Sequence, residues 1–109
     1  MPTVYKILGQ SNPAATSATT LYTVPSANST VISTINVCNQ SSSAGNFRIA
    51  VRPGGESLAA KHYIAYDTVL AGLDSIAMTI GVTLAATDVV TVYASSANIS
   101  FVAFGSEIY

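Results

Sequence analysis

Seven side chains in this sequence could carry acid–base, nucleophilic or metal chemistry: His62, Cys38 and the carboxylates Glu56, Asp67, Asp74, Asp88 and Glu107. Their spacing does not assemble a site. General acid–base catalysis needs titratable groups that converge on one reacting atom. His62 stands beside Tyr63 on a predicted strand, so the two side chains point to opposite faces; a surface or interface histidine is expected. A zinc site takes three or four ligands, which one Cys and one His do not supply. Asp67, Asp74 and Asp88 fall in separate turns, where Asp commonly initiates the turn; a calcium site built from them is the sharper alternative. Pro53-Gly54-Gly55 has neither the Gly-Lys-Ser pattern nor the following helix of a phosphate loop, and reads as a turn that ends a strand. Cys38 lies in an apolar run and is expected to act as a small buried hydrophobe. No catalytic residue, cofactor or metal is therefore assigned, and the chain is expected not to be an enzyme.

Tyrosine and arginine offer binding chemistry instead. Tyr carries an apolar ring with a polar tip, which suits interfaces and carbohydrate platforms. Tyr22 and Tyr93 are expected as core rings with their hydroxyls at the edge. Tyr5, Tyr63, Tyr66 and the terminal Tyr109 are the candidates for contacts with neighbours. Arg48 and Arg52 are four residues apart on one predicted strand, so they share a face. They read either as a solvated stripe or as salt bridges to an acidic partner or second subunit.

The elements that must position these groups are short strands separated by turns. The chain of 109 residues suits one domain, 1–109. A strand is expected over 4–10, then a polar loop over 11–20, long enough for residues 1–20 to serve as an arm that contacts neighbours. A short strand at 21–24 is stopped by Pro25. Ser29–Asn39 is the longest strand, with Val31, Ser33, Ile35 and Val37 on the expected core face. Residues 47–52 alternate cleanly, with Phe47, Ile49 and Val51 inward and both arginines outward. Residues 56–61 read as one helical turn or a loop. Strands follow at 62–67, at 75–80 with Ile76, Met78 and Ile80 inward, at 89–94, and from Ile99 to Gly105; the last two are expected to pair. About eight antiparallel strands with frequent turns predict an all-β fold, a β-sandwich or small jelly roll.

Composition narrows the function classes. Charged residues make up 8% of the chain, against about 25% in ordinary globular proteins. Hydrophobic residues make up 50% and Trp is absent. A net charge of −1 with four basic residues gives no electrostatic footprint for nucleic acid or an anionic membrane. No apolar stretch reaches the roughly 18 residues of a membrane span. The start, Met1-Pro2-Thr3, lacks the basic residues and apolar run of a secretory leader. A chain of so little charge either keeps much of its surface under partners or is solubilised by Ser, Thr and Asn.

One segment, Leu21-Tyr22-Thr23-Val24-Pro25 through Thr30-Val31-Ile32-Ser33-Thr34-Ile35-Asn36-Val37-Cys38-Asn39, resembles a pattern of small structural proteins in tailed bacteriophages, those of cyanobacterial and marine phages among them. Lys61-His62-Tyr63-Ile64-Ala65-Tyr66-Asp67 and the ending Phe104-Gly105-Ser106-Glu107-Ile108 are similar to the same group. The resemblance implies a virion protein made in the host cytoplasm. Its leading form is a capsid decoration (cement) protein on the head exterior, which binds the major capsid protein and self-associates as a trimer. The second form is a tail, baseplate or head-fibre component, although the chain lacks the length and repeats of a fibre. No functional residue carries over, because the pattern holds only strand residues. A carbohydrate-binding module is a third reading, from a different class.

Overall fold

Alternating β-branched and polar residues fit a pleated surface with one buried side, and strands dominate the structure. It is a computed structural model that describes residues 2–109; Met1, where the leader reading begins, lies outside them. The strands are β1 (Thr3–Ser11), β2 (Thr19–Thr23), β3 (Ser29–Asn39), β4 (Gly45–Arg52), β5 (Tyr63–Leu70), β6 (Ser75–Met78), β7 (Val82–Leu84), β8 (Val89–Ala94) and β9 (Ile99–Ile108). Two single 3-10 turns, Pro53–Gly55 and Ala60–His62, break the β4–β5 connection.

All pairings are antiparallel. The chain forms one long double ribbon in which β1 pairs with β9, β2 with β8, β3 with β6 and β7, and β4 with β5. The ribbon winds on itself, so that β9 also meets β3 and β8 also meets β4. Sheet I then runs β1-β9-β3-β6, with β7 also beside β3, and sheet II runs β2-β8-β4-β5. With β6 and β7 taken as one interrupted strand, this is the winding of a jelly roll, a β-sandwich of eight strands.

The core lies between the sheets. Ile35, Val37, Ile99, Phe101 and Ala103 of sheet I and Phe47, Ile49, Val90, Val92 and Ala94 of sheet II are all essentially inaccessible. Phe47 and Phe101 meet edge to face across the gap, with ring centroids 6.1 Å apart at 74°, a favoured aromatic geometry.

Two bulges bend sheet I at the same place. Opposite Phe104 and its neighbours, Leu8 is the extra residue on β1 and Ser33 the extra residue on β3. Gly105 sits between them, and a Cβ there would lie 2.0 Å from the Val31 carbonyl oxygen, so only glycine lets the strands approach this closely. The Ser33 bulge corrects the expected face of β3: Thr30 and Ile32 are buried before it, and Ile35, Val37 and Asn39 after it. Val31 and Ser33 face outward.

Two other expectations change. Met78 packs partly on the core, but Ile76 and Ile80 are exposed, because β6 is a short edge strand. β8 and β9 do not pair; they lie in different sheets. The loop after β1 is held on its own domain, with the Asn12 side-chain amide donating to the Ala97 and Ile99 carbonyls and the Thr16 N–H donating to Ala94 O. No helix among the described residues is long and apolar enough to cross a membrane.

Candidate functional site

On the outer face of sheet II the sequence candidates Arg48, Tyr63 and Tyr66 come together. Arg48 of β4 stands opposite Tyr93 of β8 in the ladder. Its guanidinium carbon lies 4.2 Å from the ring centroids of both Tyr66 and Tyr93, bracketed between them. Its Nε donates to Asp67 Oδ1 at 2.6 Å and its Nη2 to Oδ2 at 3.3 Å. The two-pronged geometry suits a planar guanidinium on a carboxylate, and the hydrogen bond to Asp67 raises the already high proton affinity of Arg48. Consecutive residues Tyr66 and Asp67 both reach Arg48 because β5 breaks register against β4 there, with Asp67 in the left-handed region at φ 49°, a conformation Asp tolerates better than most residues. Tyr63 packs edge to face on Tyr66, centroids 4.9 Å apart.

Beside this cluster is an open hollow of about 620 Å³, lined by Leu58, Ala59, Ala60, Tyr63 and Tyr66. One of its flanks is the 53–62 loop, which His62 pins down. Its Nδ1 accepts from the Ala59 N–H at 3.0 Å, which leaves the proton on Nε2 to be donated to Glu56 Oε1 at 3.2 Å. That hydrogen bond, with Lys61 second, holds the Glu56 carboxyl below its ordinary range. His62 is 4% exposed, so the expected surface or interface histidine is instead a buried loop anchor within the domain. Arg52, far from the hollow's tyrosines in its bonding, donates to the Thr91 hydroxyl and to the Gly55 and Glu56 carbonyls. Asp88 accepts from the Gly54 and Ala85 N–H groups, and Asp74 from Ser75.

Tyr5 and Tyr109 lie elsewhere, on sheet I. Tyr109, at the end of β9, donates to Glu107 Oε1 at 3.3 Å. Glu107 is 3% exposed and also takes the Tyr22 hydroxyl at 2.5 Å and the Lys6 ammonium at 2.9 Å. Tyr22 in turn shares a hydrogen bond of 2.8 Å with Thr30. The Tyr22 hydrogen bond, then that of Lys6, keeps the Glu107 carboxyl below its ordinary value against the opposing effect of burial. Burial and the Glu107 hydrogen bond push the Tyr22 phenol up to about 12. A carboxylate held by three donors, Tyr22, Lys6 and Tyr109, is occupied, and it does not face the hollow.

Sequence reading missed Tyr93 as half of the Arg48 bracket, Asp67 as its ion partner, and Glu107 as a buried anchor. Glu107 carried a signal: period-two alternation from Ile99 places 99, 101, 103, 105 and 107 on one face. Tyr93 carried none, since β4 and β8 are far apart in the chain.

The outer face of sheet I has a different character. The ladder registers place Tyr5, Ile7, Val31, Val102, Phe104 and Ile108 outward, among Ser, Thr, Asn, Gln and Ala, and put Cys38, expected as a buried hydrophobe, half-buried on the same face. No outward position on its strands is Asp, Glu, Lys, Arg or His. Tyr5 is 83% exposed. A second apolar stripe follows the free edge strand of sheet II, through Ile64, Tyr66 and Val69 to Leu73 in the next turn, the last two each 74% exposed. No cluster of three or more metal-ligating side chains exists among the described residues. No protein-family model matches the chain, and no curated protein or solved structure matches it either.

Proposed function

We propose that the chain is a non-enzymatic structural protein of a tailed-phage particle, a capsid decoration protein that binds the outside of the head and stabilises it as a homo-oligomer. One observation carries this reading: a single small domain has two separate exposed surfaces, the uncharged outer face of sheet I with Tyr5, Ile7 and Phe104 on it and the apolar β5 stripe. A protein that tiles a symmetric shell needs two such regions, one for its own copies and one for the shell. Each contact can be weak, because repetition over many equivalent positions multiplies it. Binding only the assembled shell then stabilises that shell by mass action.

The ionisable groups support the same reading from the other side. Arg48 with Asp67, His62 with Glu56, and Glu107 with Lys6 and Tyr22 hold strands and loops together. None is left poised on the hollow for proton transfer. Leu73 adds weight to the β5 stripe as the shell contact. It is held in the left-handed region at φ 56°, an outlier for a bulky residue, yet it is largely exposed and packs little within the domain.

The test is the copy number of the chain in purified particles, by quantitative mass spectrometry against the major capsid protein. A number comparable to the capsid protein fits decoration. A few copies per particle would move the chain to the tail, baseplate or fibres, and absence would end the virion reading. A second reading has one observation in its favour: Tyr63 and Tyr66 wall the hollow, as aromatic rings do in saccharide sites. Binding on a glycan array that is lost in Tyr63→Ala would establish it.

A further inference from the structure

We infer that the outer face of sheet I is a self-association surface, on which a second copy of this chain packs face to face about a two-fold axis. The inference deepens the decoration reading and rests on it only for its biological setting; the packing itself is argued from this chain alone.

The first argument is electrostatic. In a two-fold interface each residue near the axis meets its own copy, so any charge there meets a like charge. The strands of this face present no ionised side chain, whereas the outer face of sheet II carries Arg48, Arg52 and Asp67. A face without charge also has nothing to offer an acidic or basic partner, which removes nucleic acids and charged membranes as occupants.

Size is the second argument. β3 is 11 residues long, and four strand positions lie abreast in sheet I. At about 3.3 Å per residue and about 4.8 Å between strands, the strand residues of such a face cover about 600 Å². Standard stable interfaces take from about 600 Å² upward from each partner, so one face reaches the lower end of that range. Phe104 on the inner strand β9, with Tyr5 and Ile7 beside it on β1, would supply the ring and aliphatic contacts, as aligned sheets pack in sandwiches.

The third argument concerns the edges of sheet I, which are poorly suited to strand addition. Lys6 puts a charge into the β1 edge and is tied to Glu107. On the opposite edge β6 and β7 have four and three residues. Charged and short edge strands resist pairing with another sheet. Within sheet I this leaves the uncharged face as the route to association, and face-to-face packing makes a closed pair rather than a growing sheet.

The experiment is light scattering on the purified full chain, with variants at exposed positions so that folding is preserved. The wild type is expected at twice 11.2 kDa. Tyr5→Lys and Phe104→Lys should both run as monomers with wild-type circular dichroism spectra, while Val69→Lys on the β5 stripe stays dimeric. A monomeric wild type, a trimer, or a dimer that withstands both lysines would overturn the inference. A monomeric wild type would also remove the homo-oligomer from the proposed function, whereas the particle copy number tests the virion reading separately.

Discussion

On the outer face of sheet II, each described charge is met by a partner: Arg48 by Asp67 and two tyrosine rings, Arg52 by Thr91 and two carbonyls. On the outer face of sheet I the strands hold no charge, and Tyr5, Ile7 and Phe104 stand in solvent. Both faces cover the same core and belong to one short chain. What separates them is what they are built to meet. Paired charges satisfy themselves and fix the strands beneath, so the face is complete without a partner. Uncharged apolar surface gains only when something covers it, because its free energy depends on area removed from water.

The largest effect should come from the interior on which both faces depend. Phe101→Ala removes the ring that meets Phe47 between the sheets, and should cost about 3–5 kcal/mol of unfolding free energy, measured by denaturant titration. If the two faces share one cooperative core, near-ultraviolet signals from tyrosines of both sheets, Tyr5 and Tyr93, will be lost at one midpoint. Two midpoints would mean that the sheets melt separately.

Glu107→Gln comes next, beneath the uncharged face. Gln keeps the shape but weakens the acceptor shared by Tyr22, Lys6 and Tyr109, for a loss of about 1–3 kcal/mol. The pH dependence follows from the same contacts. Glu107 has a lowered proton affinity when folded, so its contribution is present above its ordinary value of 4.5 and is lost as the pH falls through the lower folded value. Tyr22 is raised from 10.0 to about 12, so its contribution is present below pH 10 and declines as the pH rises toward 12. Thermal melts across both ranges should show the two declines in the wild type, and a shallower acid decline in Glu107→Gln.

The legibility of these features tracks how local their causes are. The inward set of β4, Phe47 and Ile49, follows from uninterrupted alternation, and the structure keeps it. The face of β3 could not be read through Ser33, because a bulge adds one residue and inverts the phase. That bulge lies beside Gly105, some seventy positions away in the chain. Ile76 has the right alternation for a core position, but short β6 runs along an edge where sheet II does not cover it. The β8–β9 pairing failed for a related reason: a jelly roll sends consecutive strands to opposite sheets, and adjacency in sequence then misleads. The Arg48 cluster needed the β4–β8 register and the β5 irregularity, neither of which leaves a local mark.

Arg48→Ala should have a smaller effect. The pair with Asp67 is partly exposed, and such pairs contribute little in water. A modest fall in melting temperature is expected, shrinking as salt is added, with the oligomeric state unchanged. A change in oligomeric state would show that the self-satisfied face also meets a partner, and would erase the contrast between the two faces.

The smallest change in stability should come from Leu73→Gly, and it is the most informative about the β5 stripe. Glycine adopts the left-handed backbone at φ 56° without the clash that a Cβ brings. The Leu73 side chain is 74% exposed, so little burial is lost with it. Stability should stay the same or rise by up to about 1 kcal/mol. Under the proposed shell contact, Leu73 is kept for what its side chain touches outside the domain rather than for its own turn. Binding to purified particles should therefore weaken in Leu73→Gly while the isolated protein becomes no less stable. If stability falls instead, Leu73 holds its own turn, and the stripe along β5 loses its strongest claim to be a contact surface.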